Sequence, residues 1–110
     1  MKLSKPDKAR QLLLEFVAAL EALPTKELIR GRLIDESGKV CAAGSLLKFR
    51  GLTLDSHTFY RDQLRTRGIQ EFILERIMRT NDAIPSLRSV ETTRARWQRM
   101  HNWATEQLRG

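Results

Sequence analysis

Cys41, His57 and His101 are the side chains that could pair as a thiol and a base, and such a pair needs a neighbouring cation or imidazole to draw the thiol toward thiolate. Val40, Ala42 and Ala43 surround the cysteine in sequence. Apolar neighbours raise a thiol pKa, so Cys41 is expected to be a buried structural thiol. One Cys and two separated His also fall short of a structural zinc site, whose ligands come in close-spaced pairs. Asp35 and Glu36 are adjacent carboxylates, but Ser37 and Gly38 after them spell a turn, and acid/base work needs an apolar pocket to split two carboxyl pKa values. Gly44-Ser45 lacks the second glycine of a nucleophile elbow, and the glycines form neither a phosphate-cradling loop nor a dinucleotide fingerprint. No enzyme class, metal or cofactor is expected.

What remains is contact chemistry, concentrated in ETTRARWQRMHNW, residues 91–103. At 100° per residue, Trp97, Met100, His101, Ala104 and Leu108 form one stripe, and Trp103 lies at its edge beside Arg96 and Arg99. Trp97 is expected in the core. Trp103 is expected to be the exposed anchor, with a half-buried lid as its alternative. Arg94, Arg96, Arg99 and Trp103 are therefore the expected partner-binding residues: guanidinium groups fork onto carboxylate or phosphate, and an indole supplies contact area. A rival set is Arg61, Arg65 and Arg67, which together with the last helix would meet the phosphates of DNA or RNA. Residues 60–79 have the outline of a helix-turn-helix around Gly68, but Leu64 stands where that unit wants a small residue. Glu71 and Glu75 would also bring negative charge to the phosphates.

These residues need elements to hold them. Helical spacing predicts a first helix over residues 5–23, stopped by Pro24, and then a short helical turn from Thr25 to Gly31. Arg32-Leu33-Ile34 and Lys39-Val40-Cys41 flank a Gly-containing turn and predict a small β-hairpin at residues 32–41. Helices are predicted over 42–50, from Asp55 or Ser56 to Gly68, over 69–80, and from the Thr92 cap to about Leu108. Asn81, Asp82, Pro85 and Ser86 read as a loop, with Asn81 and Asp82 fixing where the chain turns. The expected fold is mainly α: a compact bundle of about five helices with a small hairpin, one domain over residues 1–110.

A chain of 110 residues with 41% hydrophobic content supports one core. Aromatic residues make up only 6%, so that core should be aliphatic, with Phe16, Phe49, Phe59, Phe72 and the tryptophans as its large pieces. Lys and Arg number 20 against 13 Asp and Glu, a net charge of +7 that favours a polyanionic partner. From Ser56 onward every basic residue is arginine, the better side chain for macromolecular contacts. Lys2, Lys5 and Lys8 before Leu12, Leu13 and Leu14 outline a signal peptide, but Glu15 and Glu21 interrupt the apolar run. Neither export nor membrane insertion is expected, and the lone cysteine suits a reducing cytoplasm.

Taken in order, Arg30-Gly31-Arg32, Asp35 with Gly38, Cys41-Ala42-Ala43-Gly44-Ser45-Leu46, Asn81-Asp82, and Glu91-Thr92 with Arg96-Trp97, Met100 and Trp103 resemble a group of small uncharacterised proteins of bacteriophages and prophages. Those proteins read RG, a short turn, CAxGAL, a helical middle, ND and ETPxxRWxxMxxW. Here Ser45 stands in place of the pattern's Ala, and Thr93 in place of its Pro. The resemblance implies a non-structural phage or prophage protein acting in the bacterial host cytoplasm, a class that includes modulators of host machinery and inhibitors of host defence such as anti-CRISPR proteins. The expected partner is accordingly an acidic protein surface or a nucleic-acid-handling host complex. The alternative is a small basic DNA- or RNA-binding regulator.

Overall fold

The computed structural model describes residues 5–31, 33–51, 71–83 and 91–109. Among them are four helices: α1 (Lys5–Ala22), α2 (Ala42–Phe49), α3 (Glu71–Asp82) and α4 (Thr93–Arg109). On α1, Leu12, Phe16, Ala19 and Leu20 recur every three or four residues, and all are buried. That face packs against both α2 and α4, while α3 closes the other side of α2 and touches α4 less extensively. Leu28, Leu46, Leu47, Leu74, Ile77 and Met100 complete a solvent-free aliphatic centre. Full burial of each such side chain contributes about 1.5–3 kcal/mol.

Although only eight residues long, α2 is the middle of the molecule, buried at every position from Ala42 to Leu47. Its start is capped by sulfur: Cys41 is extended, and its Sγ accepts from Gly44 N at 3.3 Å. Ser45 turns its hydroxyl back onto Ala42 O at 2.6 Å, so neither polar side chain enters the core unbonded. Gly51, at φ +84°, ends the helix, with Gly51 N bonded to Lys48 O.

Residues 23–41 depart from expectation, because no ribbon of paired strands forms among them. Only an isolated antiparallel bridge joins Ile34 to Val40. Bond accounting explains this: Asp35 N donates to Lys39 O at 2.9 Å and Cys41 N to Leu33 O at 3.2 Å, the two bonds of that bridge, while Cys41 O, which a longer hairpin would pair, receives Ser45 N at 2.8 Å as α2 begins. Val40 O, turned away from Ile34, receives Ile29 N at 3.0 Å. The turn itself is built by Asp35, whose Oδ1 accepts from Ser37 N, Ser37 Oγ and Lys39 N at 2.7–2.9 Å. Those bonds, Ser37 first, hold its carboxyl below the ordinary aspartate value. Asp35 is therefore a turn organiser.

Other boundaries also shift. Residues 25–31 bend without making a helical turn, and Asn81 and Asp82 are the last two residues of α3, not a loop. Phe49, expected in the core, is 48% exposed. The helix expected over residues 55–68 lies outside the described residues, as do the side chains of Phe59 and Phe72.

Among the described glycines, Gly44 alone meets neighbouring backbone closely. A Cβ there would overlap the carbonyl oxygen of Leu33 and lie 3.1 Å from Val40 Cβ. Alanine would gain about 1 kcal/mol in helix propensity, but overlap with a fixed backbone oxygen costs about 1–3 kcal/mol or more. Gly44→Ala is expected to destabilise the protein by about 2 kcal/mol, seen as a lower urea midpoint with an unchanged slope.

Candidate partner-binding face on the last helix

The start of α4 is fixed by Thr92, whose Oγ1 accepts from Ala95 N at 3.0 Å, as an N-cap should. Thr93 O receives Leu28 N at 2.9 Å, which ties the helix start to the chain leaving α1. Next to this cap, Glu91 gathers two arginines. Arg99 forks onto it, Nε to Oε2 at 2.6 Å and Nη2 to Oε1 at 3.0 Å. Arg96 Nε lies 3.0 Å from Glu91 Oε1; this is an ion-pair contact, because the N–H is not aligned on that oxygen. Arg99, ahead of the opposing effect of burial, holds the Glu91 carboxyl below its ordinary value.

The same two guanidiniums tie elements together. Arg96 is only 8% exposed and donates through Nη1 to Leu28 O at 3.1 Å. Arg99 donates to Thr80 O, Asn81 O and Ala83 O, carbonyls at the end of α3 that have no helical partner. Expected as partner contacts, Arg96 and Arg99 instead point inward and bond their own chain. Arg94 is exposed, and Trp103 is half-buried and packed on the core cluster. The four residues therefore do not form one outward patch. Arg61, Arg65 and Arg67 lie outside the described residues.

Asn81 and Asp82 complete this internal network. Asn81 is fully buried: its Oδ1 accepts from Ala42 N at 3.2 Å, and its Nδ2 donates to Ile29 O at 3.0 Å and Asp82 Oδ1 at 2.9 Å. Asp82 Oδ1 also receives Gly31 N at 3.3 Å. A single amide thereby joins α3 to the start of α2 and to the segment after α1. On the opposite side, Trp97 Nε1 donates to Leu20 O at 3.0 Å, and its ring stacks on His101 with centroids 4.9 Å apart. His101 Nε2 reaches Glu21 Oε1 at 3.1 Å. Lys26 Nζ binds Glu21 O and Leu23 O and sits 5.5 Å from the Trp97 ring. Trp97 and Lys26 thus satisfy the C-terminal carbonyls of α1.

What faces outward is the space between α3 and α4. An open groove of about 620 Å³ is lined by Thr80, Ala95, Gln98, Arg99, Asn102, Trp103 and Glu106. Arg76 of α3 lies over the Trp103 ring at 5.9 Å and donates to Gln107 at 3.3 Å. Gln98 and Asn102, bonded to each other at 3.0 Å, present amides along its length. Of the residues at this groove the sequence reading singles out Arg99 and Trp103 but not Arg76, Thr80, Gln98 or Asn102. For the last two the signal is the column 95, 98, 102, 106 on one side of α4, which is not apolar; Arg76 and Thr80 carry none.

Cys41 is buried, and burial pushes its thiol up to about 11, which leaves it protonated and poorly nucleophilic at neutral pH. Among the described residues no three His, Cys, Asp or Glu side chains gather to hold a metal, and no helix is long and apolar enough to cross a membrane. No protein-family model, curated protein or solved structure matches the chain.

Proposed function

We propose that this chain is a non-enzymatic accessory protein of phage or prophage type that binds a host macromolecule through the groove between α3 and α4. The observation that carries this reading is Trp103: a partly buried indole that packs on the core, lines an open groove and has an arginine over its ring. Partly buried aromatics held rigid by their own fold are the usual anchors of protein interfaces, because little side-chain entropy remains to be lost on binding. Arg94, on the shoulder of the same helix, adds exposed positive charge. The resemblance to phage and prophage proteins supports a target in the host's nucleic-acid-handling or defence machinery, with inhibition as the mode of action.

The test is affinity capture from a bacterial host lysate, run with and without nuclease, using the native chain and Trp103→Ala. An interface anchor contributes about 2 kcal/mol or more, so capture should fall roughly thirtyfold while the helical circular dichroism persists. Undiminished capture by the variant excludes the groove as the site. Capture that vanishes with nuclease and weakens steeply with salt would favour the nucleic-acid-binding alternative.

A further inference from the structure

The charge arrangement around the groove assigns an occupant. Arg76, which lies over the Trp103 ring, and Arg79 stand three residues apart on α3, both to one side of Thr80, and both are exposed. On α4, Arg94 lies one turn before Gln98 and Arg109 one turn beyond Glu106, again exposed. Glu75 lies further round α3, away from Thr80. Among the described lining residues Glu106 is the one carboxylate, and Arg99, the one cation, has its guanidinium turned to Glu91 and to main-chain carbonyls. The rim is thus cationic, while the floor offers amides, a hydroxyl and an indole.

From this we infer that the groove receives an acidic polypeptide segment bearing an apolar side chain. The inference rests on the groove being the partner site. The apolar side chain packs against Trp103 and Ala95, Gln98 and Asn102 bond the segment's main chain, and its flanking carboxylates meet the rim arginines. A nucleic-acid strand suits the same space less well. Its phosphates would have to pass Glu106, and the guanidinium nearest the floor has no donors turned toward them.

The test uses the whole chain labelled with nitrogen-15, in which the two indole N–H resonances are told apart by Trp103→Phe. The probes are a short synthetic peptide with a central Leu or Phe flanked by Asp and Glu, the same peptide with Lys in place of the acids, and oligothymidylate. The acidic peptide should shift the Trp103 resonance saturably and leave that of Trp97, which is bonded to Leu20 O, in place. Affinity should fall about tenfold in Arg76→Gln/Arg79→Gln, whose substitutions are exposed and leave the fold intact. Equal binding of the lysine peptide overturns the charge assignment, and a Trp103 shift with oligothymidylate alone overturns the choice of polypeptide. If no peptide moves Trp103 although capture from lysate still depends on it, the assigned occupant is wrong while the site itself stands.

Discussion

Glu91→Gln lowers the unfolding free energy by about 3 kcal/mol, the scale for breaking a buried ion pair by removing one partner. In a domain of this size that is about 10–20 °C in the unfolding midpoint. Among the described residues Glu91 is the one carboxylate that pairs with Arg96 and Arg99, and its side chain is 10% exposed, as is that of Arg96. Glutamine keeps the shape and one acceptor but leaves two guanidinium charges facing a neutral amide. The loss also has a pH signature. The folded carboxyl titrates below its unfolded value because Arg99 binds the ionised form, so its contribution is complete above the unfolded glutamate pKa of about 4.3. It disappears as pH falls through the depressed folded value. Urea unfolding of both proteins should therefore show the full gap at neutral pH and a narrowing gap below the unfolded value.

Asn81→Leu is expected to cost about 3–4 kcal/mol. The substitution preserves size but leaves Ala42 N–H and Ile29 C=O buried without the partners they have now, and each stranded group costs about 1–3 kcal/mol. Asn81→Asp separates bonding from shape. It keeps an acceptor for Ala42 N but sets a carboxylate against Ile29 O and Asp82 Oδ1, which Asn81 Nδ2 now bridges. A carboxyl in that position is disfavoured in its ionised form. Its folded pKa is raised, and the Asp variant should regain stability relative to the native chain as pH is lowered from 7 toward 5. Chemical denaturation across that range checks the sign.

Much of the helical framework was legible because helices write their buried faces locally. Leu12, Phe16 and Leu20 recur at the right spacing, Ile73, Leu74 and Ile77 share a wide buried arc, and Thr92 caps as a threonine before a helix should. The buried thiol was readable from its neighbours. What failed depended on partners outside each segment. Leu33-Ile34 and Val40-Cys41 look like strands, but the start of α2 takes the Cys41 carbonyl that a ribbon would pair next. Asn81-Asp82 has turn chemistry, yet in the last turn of α3 those side chains bond Ala42, Ile29 and Gly31, which lie far earlier in the chain.

Arg96 is the instructive miss. Charged side chains are rarely buried unless paired, so the wheel that put Met100 and Ala104 inside was read as leaving their neighbour Arg96 outside. Its partners, Glu91 and Leu28 O, come from just before α4 and from the segment that follows α1. Gly31, Cys41, Gly44, Asn81 and Trp97 likewise bond or pack within the chain. The groove is written mainly on the polar side of α4, where a search for buried faces does not look.

The claim on which the rest depends is that the arginines beside Glu91 hold the fold and Trp103 does the binding. Glu91→Gln and Trp103→Ala, each assayed for unfolding midpoint and for partner capture below its own midpoint, separate the two roles. The account predicts a much lower midpoint with capture retained for the first, and a modestly lower midpoint with capture lost for the second. Capture lost in folded Glu91→Gln and retained in Trp103→Ala would contradict it.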